Sequence, residues 1–205
     1  MGLYKFALGL CSVVLKIMFN VKVAGLENIP KDKNFILVSN HISNFDPIAL
    51  GVAVKEPLAF MGKEELFKNK LFGGLLKKFG AFPVSRGSGD LGAIKTALRI
   101  LKDGKNMVMF PEGTRSKTKG MMRKGKSGAV MLASKVGCGL LPAGISAEYK
   151  FRGKVTITFG EYIDFSEYKS KKLSAEELQA MTDEILMPQI ASLAGVKVYA
   201  NNNSR

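Results

Sequence analysis

The only histidine among the 205 residues is His41, and an aspartate, Asp46, follows it five positions later. Imidazole is the side chain that takes up and releases a proton near neutral pH without a perturbed environment. A carboxylate that holds one ring nitrogen leaves the other nitrogen free to act as a base. The spacing therefore predicts a base at His41 that Asp46 orients, and a purely structural hydrogen-bonding histidine is the competing interpretation.

A second polar segment, Phe-Pro-Glu-Gly-Thr-Arg-Ser at residues 110–116, follows an apolar run that predicts a strand. Ligand sites of open α/β sheets form at the carboxyl ends of strands. Pro111 and Gly113 predict a tight turn that brings the polar side chains together. The guanidinium of Arg115 has the planar fork that binds a phosphate, so this segment is a candidate anion site.

The net charge of +14 points to an anionic partner, such as nucleic acid, an anionic membrane surface, or a phosphorylated ligand. Nucleic acid is the weakest of these, because the chain has no Trp, no recognisable reading helix and few interleaved aromatic residues. A dense basic run contributes to the excess, and it is either a solvated surface or a receptor for phosphate or anionic lipid. The run comprises Arg115, Lys117, Lys119, Arg123, Lys124 and Lys126.

Other ligand patterns are weak in this sequence. Cys11 and Cys138 lie far apart and lack metal-ligand spacing, so no metal site is expected, and two unpaired cysteines fit a reducing compartment. Residues 87–92 match a dinucleotide fingerprint, but Pro83 in the preceding strand is typical of an edge strand. Residues 120–127 match a phosphate-binding loop, but the basic residues 115–119 before it cannot form the buried strand that such a loop requires.

The first 20 residues predict an amphipathic helix. Apolar residues recur at helical spacing, and the uninterrupted apolar stretch is about half of the roughly 20 residues that a membrane-spanning helix needs. We therefore expect residues 1–20 to lie in a membrane interface, and a helix packed on the protein's own core is the alternative. The apolar face comprises Leu3, Phe6, Leu10, Val13, Val14 and Ile17, and the opposite face Lys5, Gly9, Ser12 and Lys16.

The remainder, residues 21–200, alternates short apolar runs with helical patterns, which is typical of an α/β fold. We predict one domain with a mixed sheet flanked by helices. One helix is expected over residues 46–54 with Asp46 as its N-cap and Pro47 in its first turn, and a capping box at Ser174 begins another toward Leu186. Further helices are predicted over 90–101 and 127–136, and strands over 35–39, 58–61, 81–84, 106–110, 140–145 and 155–159.

Four blocks in this order resemble the conserved blocks of the 1-acylglycerol-3-phosphate acyltransferases. They are Asn-His-x4-Asp at 40–46, Gly-Ala-Phe-Pro-Val-Ser-Arg at 80–86, Phe-Pro-Glu-Gly-Thr-Arg-Ser at 110–116, and Leu-Pro-Ala-Gly at 141–144. The resemblance spans roughly residues 20–165, and the first and third blocks together are its most specific part. It implies transfer of a fatty acyl group from acyl-CoA or acyl carrier protein to lysophosphatidic acid, giving phosphatidic acid in phospholipid biosynthesis.

The same resemblance implies roles for individual residues. His41 is then the base and Asp46 its orienting partner, with no cofactor, since the acyl thioester is a substrate. The enzyme is expected at the cytoplasmic face of the cell membrane as a peripheral or monotopic protein. The residues expected to bind substrate are Arg86, Glu112, Gly113, Thr114, Arg115 and Pro142.

The chemistry of the reaction also favours direct transfer of the acyl group from the thioester to the acceptor hydroxyl. A thioester is already activated, so the acceptor hydroxyl needs only a base, and the sequence lacks a G-x-S-x-G nucleophile elbow. Three alternatives stay open: an acyltransferase for another lysophospholipid, a hydrolase that uses the same pair on water, and a non-catalytic basic protein that binds membrane surfaces. Surface binding does not need the pair of His41 and Asp46.

Overall fold

The computed structural model describes residues 2–84, 90–169 and 171–198. Seven strands form the main sheet in the order β1-β8-β7-β2-β5-β3-β4. Strands β7, β2, β5, β3 and β4 run in one direction, whereas β8 and β1 run in the other. The seven strands are β1 (Phe19–Ala24), β2 (Phe35–Ser39), β3 (Leu58–Lys63), β4 (Ala81–Val84), β5 (Asn106–Met109), β7 (Gly139–Ala147) and β8 (Gly153–Phe159). A separate pair joins β6 (Met121–Met122) to β9 (Lys197–Val198).

All six predicted strands are present, with shifts of one to two residues at some ends. Strand β1 is absent from the predicted set, because its first two residues were assigned to the N-terminal helix. Buried or half-buried residues alternate with exposed ones along its length, which is the pattern of a half-buried edge strand. The strand that carries Pro83, β4, lies at the opposite edge of the sheet, as predicted.

Helices cover both faces of the sheet, which confirms the predicted mixed α/β architecture. Alternate residues of β2 enter different cores: Phe35 and Leu37 pack with α1 and α2, whereas Ile36 and Val38 pack with α4, α5 and α7. The helices are α1 (Gly2–Met18), α2 (Asp46–Val54), α3 (Lys70–Lys78), α4 (Leu91–Lys102), α5 (Gly128–Val136), α6 (Ala175–Met181) and α7 (Met187–Ala194), with short 3-10 turns at Leu26–Asn28, Glu64–Phe67 and Ser166–Tyr168.

The predicted capping box at Ser174 begins α6. The helical path then widens into a π-helical turn, Thr182–Leu186, before α7. Pro188 lies in the first turn of α7, where a missing N–H costs little. The helical path that begins at Ser174 therefore continues through the π-helical turn into α7, with the proline at the start of α7.

Helix α1 has two apolar faces. One face packs on α2, and Leu15 at its end is buried in the core. Large side chains on the other face point away from the protein, with Phe6 73% exposed and Ile17 59% exposed. The alternative of a helix packed on the protein's own core therefore holds for one face, whereas the membrane interface stays a prediction for the exposed face. Within the described residues, no helix is both long and apolar enough to cross a membrane.

Candidate active site

The candidate site lies where β2, β5 and β7 end at the same edge of the sheet. The loop after β2 carries His41, the loop after β5 carries Glu112, and the loop after β7 carries Tyr149. Parallel strands place their carboxyl ends together, so segments far apart in sequence meet here. The ring of His41 stacks on Phe110 with 4.1 Å between ring centroids, which joins the first two loops directly.

The carboxylate of Asp46 is completely buried and accepts four hydrogen bonds. Its Oδ2 atom lies 2.8 Å from Nδ1 of His41 and accepts the backbone N–H groups of Ile42 and Ser43, each at 2.7 Å. The hydroxyl of Tyr149 donates to Oδ1 at 2.7 Å. Asp46 thus holds the imidazole and the loop before α2 in one arrangement, as the predicted orienting role requires.

The prediction that Asp46 is the N-cap of α2 is wrong. Phe45 occupies the cap position and makes no side-chain cap bond, whereas Asp46 is the first residue of the helix. The reason is that its Oδ2 turns back toward the preceding loop and the imidazole, away from the N–H groups of the next helical turn. Pro47 does lie at the helix start as predicted.

The imidazole of His41 is oriented and nearly enclosed. Its side chain is 14% exposed, and Nδ1 faces Asp46. Nε2 is then the nitrogen available to accept a proton from a bound hydroxyl. The main chain of His41 is fixed as well, because its N–H donates to Glu112 Oε1 at 2.8 Å and its carbonyl accepts the N–H of Ser116 at 2.7 Å.

Glu112 lies behind the histidine, inside the protein. Its residue is only 3% exposed. Its two carboxylate oxygens accept different backbone N–H groups, from His41 and from Arg123 at 2.8 Å. Burial raises the pKa of Glu112, and these two donors oppose that shift. The carboxylate therefore ties the loop after β2 to the basic loop, whereas the resemblance implied a contact with glycerol phosphate.

The residues after Glu112 turn outward into the basic run. Gly113 has a φ of +68°, a left-handed conformation that favours glycine, and its N–H donates to Phe110. Thr114 is half-buried and Arg115 is exposed. The next residue, Ser116, donates its N–H to the carbonyl of His41, so Arg115 adjoins a residue that is bonded to the His41 loop. Exposed cations near the proposed base can attract an anionic substrate.

Comparison with known proteins shows the family to which this chain is similar. The family model described as Acyltransferase matches residues 20–146. This chain belongs to the acyltransferase family. The 1-acyl-sn-glycerol-3-phosphate acyltransferase of Bacillus subtilis is 35% identical over 192 residues, which are 89% of this chain and 93% of that protein. The enzyme of the same description from Streptococcus pneumoniae is 30% identical over 89% of this chain and 70% of its own length.

A solved structure supports the same assignment. The crystal structure of the 1-acyl-sn-glycerophosphate acyltransferase from Thermotoga maritima matches with a TM-score of 0.70 and 31% identity. The match covers 93% of this chain and 80% of that one. The predicted family and the mixed α/β fold of this acyltransferase are therefore confirmed.

Two further residues predicted to bind substrate are Arg86 and Pro142. Arg86 follows β4, whose carboxyl end points to the same edge of the sheet, but it lies outside the described residues. Pro142 is buried within β7, opposite Val38, and its carbonyl accepts the N–H of Gly160. In this acyltransferase Pro142 is thus part of the sheet beneath the site, and its role toward the acyl chain stays a prediction.

Three residues that build the site had no predicted role, although Asn40 and Phe110 lie within the blocks at 40–46 and 110–116. Asn40 is buried and exchanges two hydrogen bonds with the main chain of Ile145, at 2.7 and 2.8 Å, which fixes the end of β2 against β7. Phe110 stacks on the histidine, and Tyr149 bonds Asp46. Asn40 could have been found from the sequence, because it is a polar residue directly after a predicted buried strand. Nothing local marked Tyr149, since it lies more than 100 residues from its partner.

Proposed function

We propose that this acyltransferase transfers a fatty acyl group from an acyl thioester to the free hydroxyl of 1-acylglycerol 3-phosphate, giving phosphatidic acid for phospholipid biosynthesis. The observation that carries the proposal is the bond between Nδ1 of His41 and the buried Asp46 at 2.8 Å. It leaves Nε2 as a base at the edge of a basic surface. A surface-binding protein has no need of such a pair.

The reaction needs few steps. The acceptor hydroxyl attacks the thioester carbonyl carbon while Nε2 of His41 takes its proton. Asp46 stabilises the imidazolium that forms, without itself becoming protonated. The tetrahedral intermediate then collapses, the carbon–sulfur bond breaks, and the proton passes from the imidazolium to the departing thiolate. The products are the new ester and a free thiol, so the residues and the two substrates suffice without a cofactor.

The phosphate of the acceptor is assigned to the basic residues beside the base. Arg115 is exposed and adjoins the segment that bonds the His41 main chain. Arg86, in the second motif, is its proposed companion. A guanidinium binds a phosphate through two parallel hydrogen bonds, which also orients the glycerol. Orientation of the hydroxyl toward Nε2 lowers the barrier by making the attack effectively unimolecular.

A substrate panel tests the proposal. The purified protein is given acyl-CoA or acyl-acyl carrier protein, with and without lysophosphatidic acid, and both thiol release and phosphatidic acid are measured. We expect thiol release only when the acceptor is present, in equal amount to the product. Thiol release without acceptor would indicate a hydrolase, and stronger activity with a lysophospholipid of another headgroup would reassign the acceptor. No turnover with any pair of donor and acceptor would indicate a non-catalytic binding protein.

The membrane surface is the proposed partner, at the cytoplasmic face, where the protein is peripheral or monotopic. The outer face of α1 offers apolar side chains that nothing in the described part of the chain covers, and the net charge of +14 attracts anionic lipid. The attraction is worth about 1 kcal/mol per basic group near the surface and is screened by salt. Apolar insertion is not screened, so the two contributions can be separated.

Sedimentation with vesicles distinguishes the apolar contribution to membrane binding from the electrostatic one. Because the other face of α1 enters the core, its outer residues should be substituted instead of deleting the helix. A variant with Phe6, Leu10, Val13 and Ile17 all changed to Ser should not pellet with neutral vesicles, and salt should release it from anionic ones. Leu91→Ser, an exposed leucine on the other side of the sheet, should bind like the wild type. A fourfold variant that pellets with neutral vesicles at high salt would place the anchor elsewhere, with α3 next to be tested.

A further inference from the structure

The turn between β7 and β8 reaches into the active site through one side chain. Tyr149 directs its hydroxyl to Oδ1 of Asp46 at 2.7 Å. This is the carboxylate oxygen that does not face the histidine, since Oδ2 bonds His41 and the two loop N–H groups. The carboxylate is therefore held at both oxygens, and the tyrosine supplies the side-chain donor on its far side.

The ring of Tyr149 packs against two other aromatic rings. It stacks on Phe45 with 5.6 Å between centroids, and Phe19 packs edge-on against it at 5.3 Å. Burial raises the pKa of Tyr149, and the neighbouring charge of Asp46 raises it further. The hydroxyl therefore keeps its proton throughout the working range of pH and remains a donor.

We infer that Tyr149 is a positioning residue, which holds the Asp46 carboxylate and through it the His41 ring in the orientation for proton transfer. This role rests on the proposed function of His41 as the base. The three hydrogen bonds at Oδ2 hold only one end of the carboxylate, and rotation about the Cβ–Cγ bond would weaken them and turn Oδ2 away from Nδ1. The tyrosine bond to Oδ1 opposes that rotation from the side opposite to the imidazole.

The hydrogen bond from Tyr149 also stabilises the negative charge of the Asp46 carboxylate, which lies next to the imidazole. Among the described residues, Asp46 bonds the imidazole and is itself bonded by Tyr149, and Glu112 bonds the main chain of the histidine. Without the hydroxyl, the negative charge of Asp46 is less stabilised and attracts the imidazolium more strongly. The ring then keeps its proton to higher pH, so the fraction that can act as a base falls.

Tyr149→Phe tests the inference because it keeps the ring and removes the donor. We expect kcat to fall roughly 3- to 30-fold, less than a lost general base costs, with the KM values for both substrates nearly unchanged. The acidic limb of the pH–rate profile should lie at higher pH in the variant than in the wild type. As the chain has one histidine, proton NMR of the imidazole follows this titration directly, without substrate.

Phe19→Leu is the matched control, since it removes a ring that packs on Tyr149 and leaves the hydroxyl in place. It should lower Tm without moving the imidazole titration. If Tyr149→Phe has the wild-type titration curve and loses activity only in proportion to its lower Tm, the tyrosine merely packs and the inference is overturned. The NMR titration also distinguishes this failure from failure of the proposed reaction, because it needs no turnover.

Discussion

Two regions at the same edge of the sheet differ in the surroundings of their charged side chains. One buries its carboxylates among hydrogen-bond donors, and the other exposes its cations. Around Asp46 and Glu112, each carboxylate oxygen accepts a hydrogen bond from a defined donor, and both residues are buried. In the basic run of residues 115–126, the arginines and lysines are exposed, and only Lys124 has a described ion pair, with Asp183 at 3.5 Å. The first region has fixed geometry, and the second mainly contributes an electrostatic field.

The two regions suit two different tasks, proton transfer and the capture of an anionic substrate. Proton transfer depends on atoms held within a few tenths of an ångström, and buried hydrogen bonds to backbone N–H groups supply that rigidity. Capture of an anionic substrate depends on summed charge, which tolerates mobile side chains. Changes in the buried cluster should therefore affect kcat and stability together, whereas changes in the basic run should affect KM and leave stability nearly constant.

The largest expected effect is that of His41→Ala. Loss of a general base should lower kcat by about 10²–10⁴-fold or more, since no second histidine can replace it. The fold should survive, because the main-chain bonds of residue 41 to Glu112 and Ser116 do not need the imidazole. Steady-state kinetics beside circular dichroism and Tm measure both. A folded variant with near wild-type turnover would contradict the mechanism.

Glu112→Gln should show the coupled loss of stability and turnover. One carboxylate oxygen becomes an NH2 group that faces a buried N–H donor, which costs about 1–3 kcal/mol. For a chain of this size that lowers Tm by about 2–12 °C, and kcat falls because the His41 loop loses an anchor. Thermal unfolding and kinetics test this. Unchanged Tm together with a raised KM for the acceptor would instead assign Glu112 to substrate binding.

Arg115→Lys should have a smaller and purely functional effect. Lysine keeps the charge but lacks the planar fork, so the KM for lysophosphatidic acid should rise several-fold and that for the thioester much less. Tm should stay within about 1–2 °C, as expected for an exposed surface position. Equal increases for both substrates would point to a structural role for this arginine instead.

The smallest effect is expected from the outer lysines of the basic run. Lys117→Gln and Lys119→Gln should each raise the acceptor KM by less than Arg115→Lys does. Because exposed charges act through a field that salt screens over about 8 Å at physiological ionic strength, their effect should vanish at high salt while that of Arg115→Lys persists. A persistent effect of either lysine would mean that it contacts the substrate directly.

Much of this site was visible in the sequence because its signals are local. The five-residue spacing of His41 and Asp46 keeps their side chains within reach of each other, so this pair could be predicted from the sequence. Glu112 was found as a site residue, but its expected ligand differs from the backbone partners that the structure gives it. The cap assigned to Asp46 was wrong for a related reason: a carboxylate can satisfy either the helix or the loop, and only the fold selects between them.

The sequence by itself determined the family, the α/β pattern and the chemistry, since four ordered motifs and hydrophobic periodicity are written within short windows of the chain. Only the tertiary structure decided that Tyr149 reaches Asp46, that Glu112 lies inside, and that α1 has one face in the core and one outside. The bonds of Glu112 to His41 and of Tyr149 to Asp46 join residues 71 and 103 positions apart, and they form because packing brings strand ends together. No local pattern encodes which distant donor a buried carboxylate will meet.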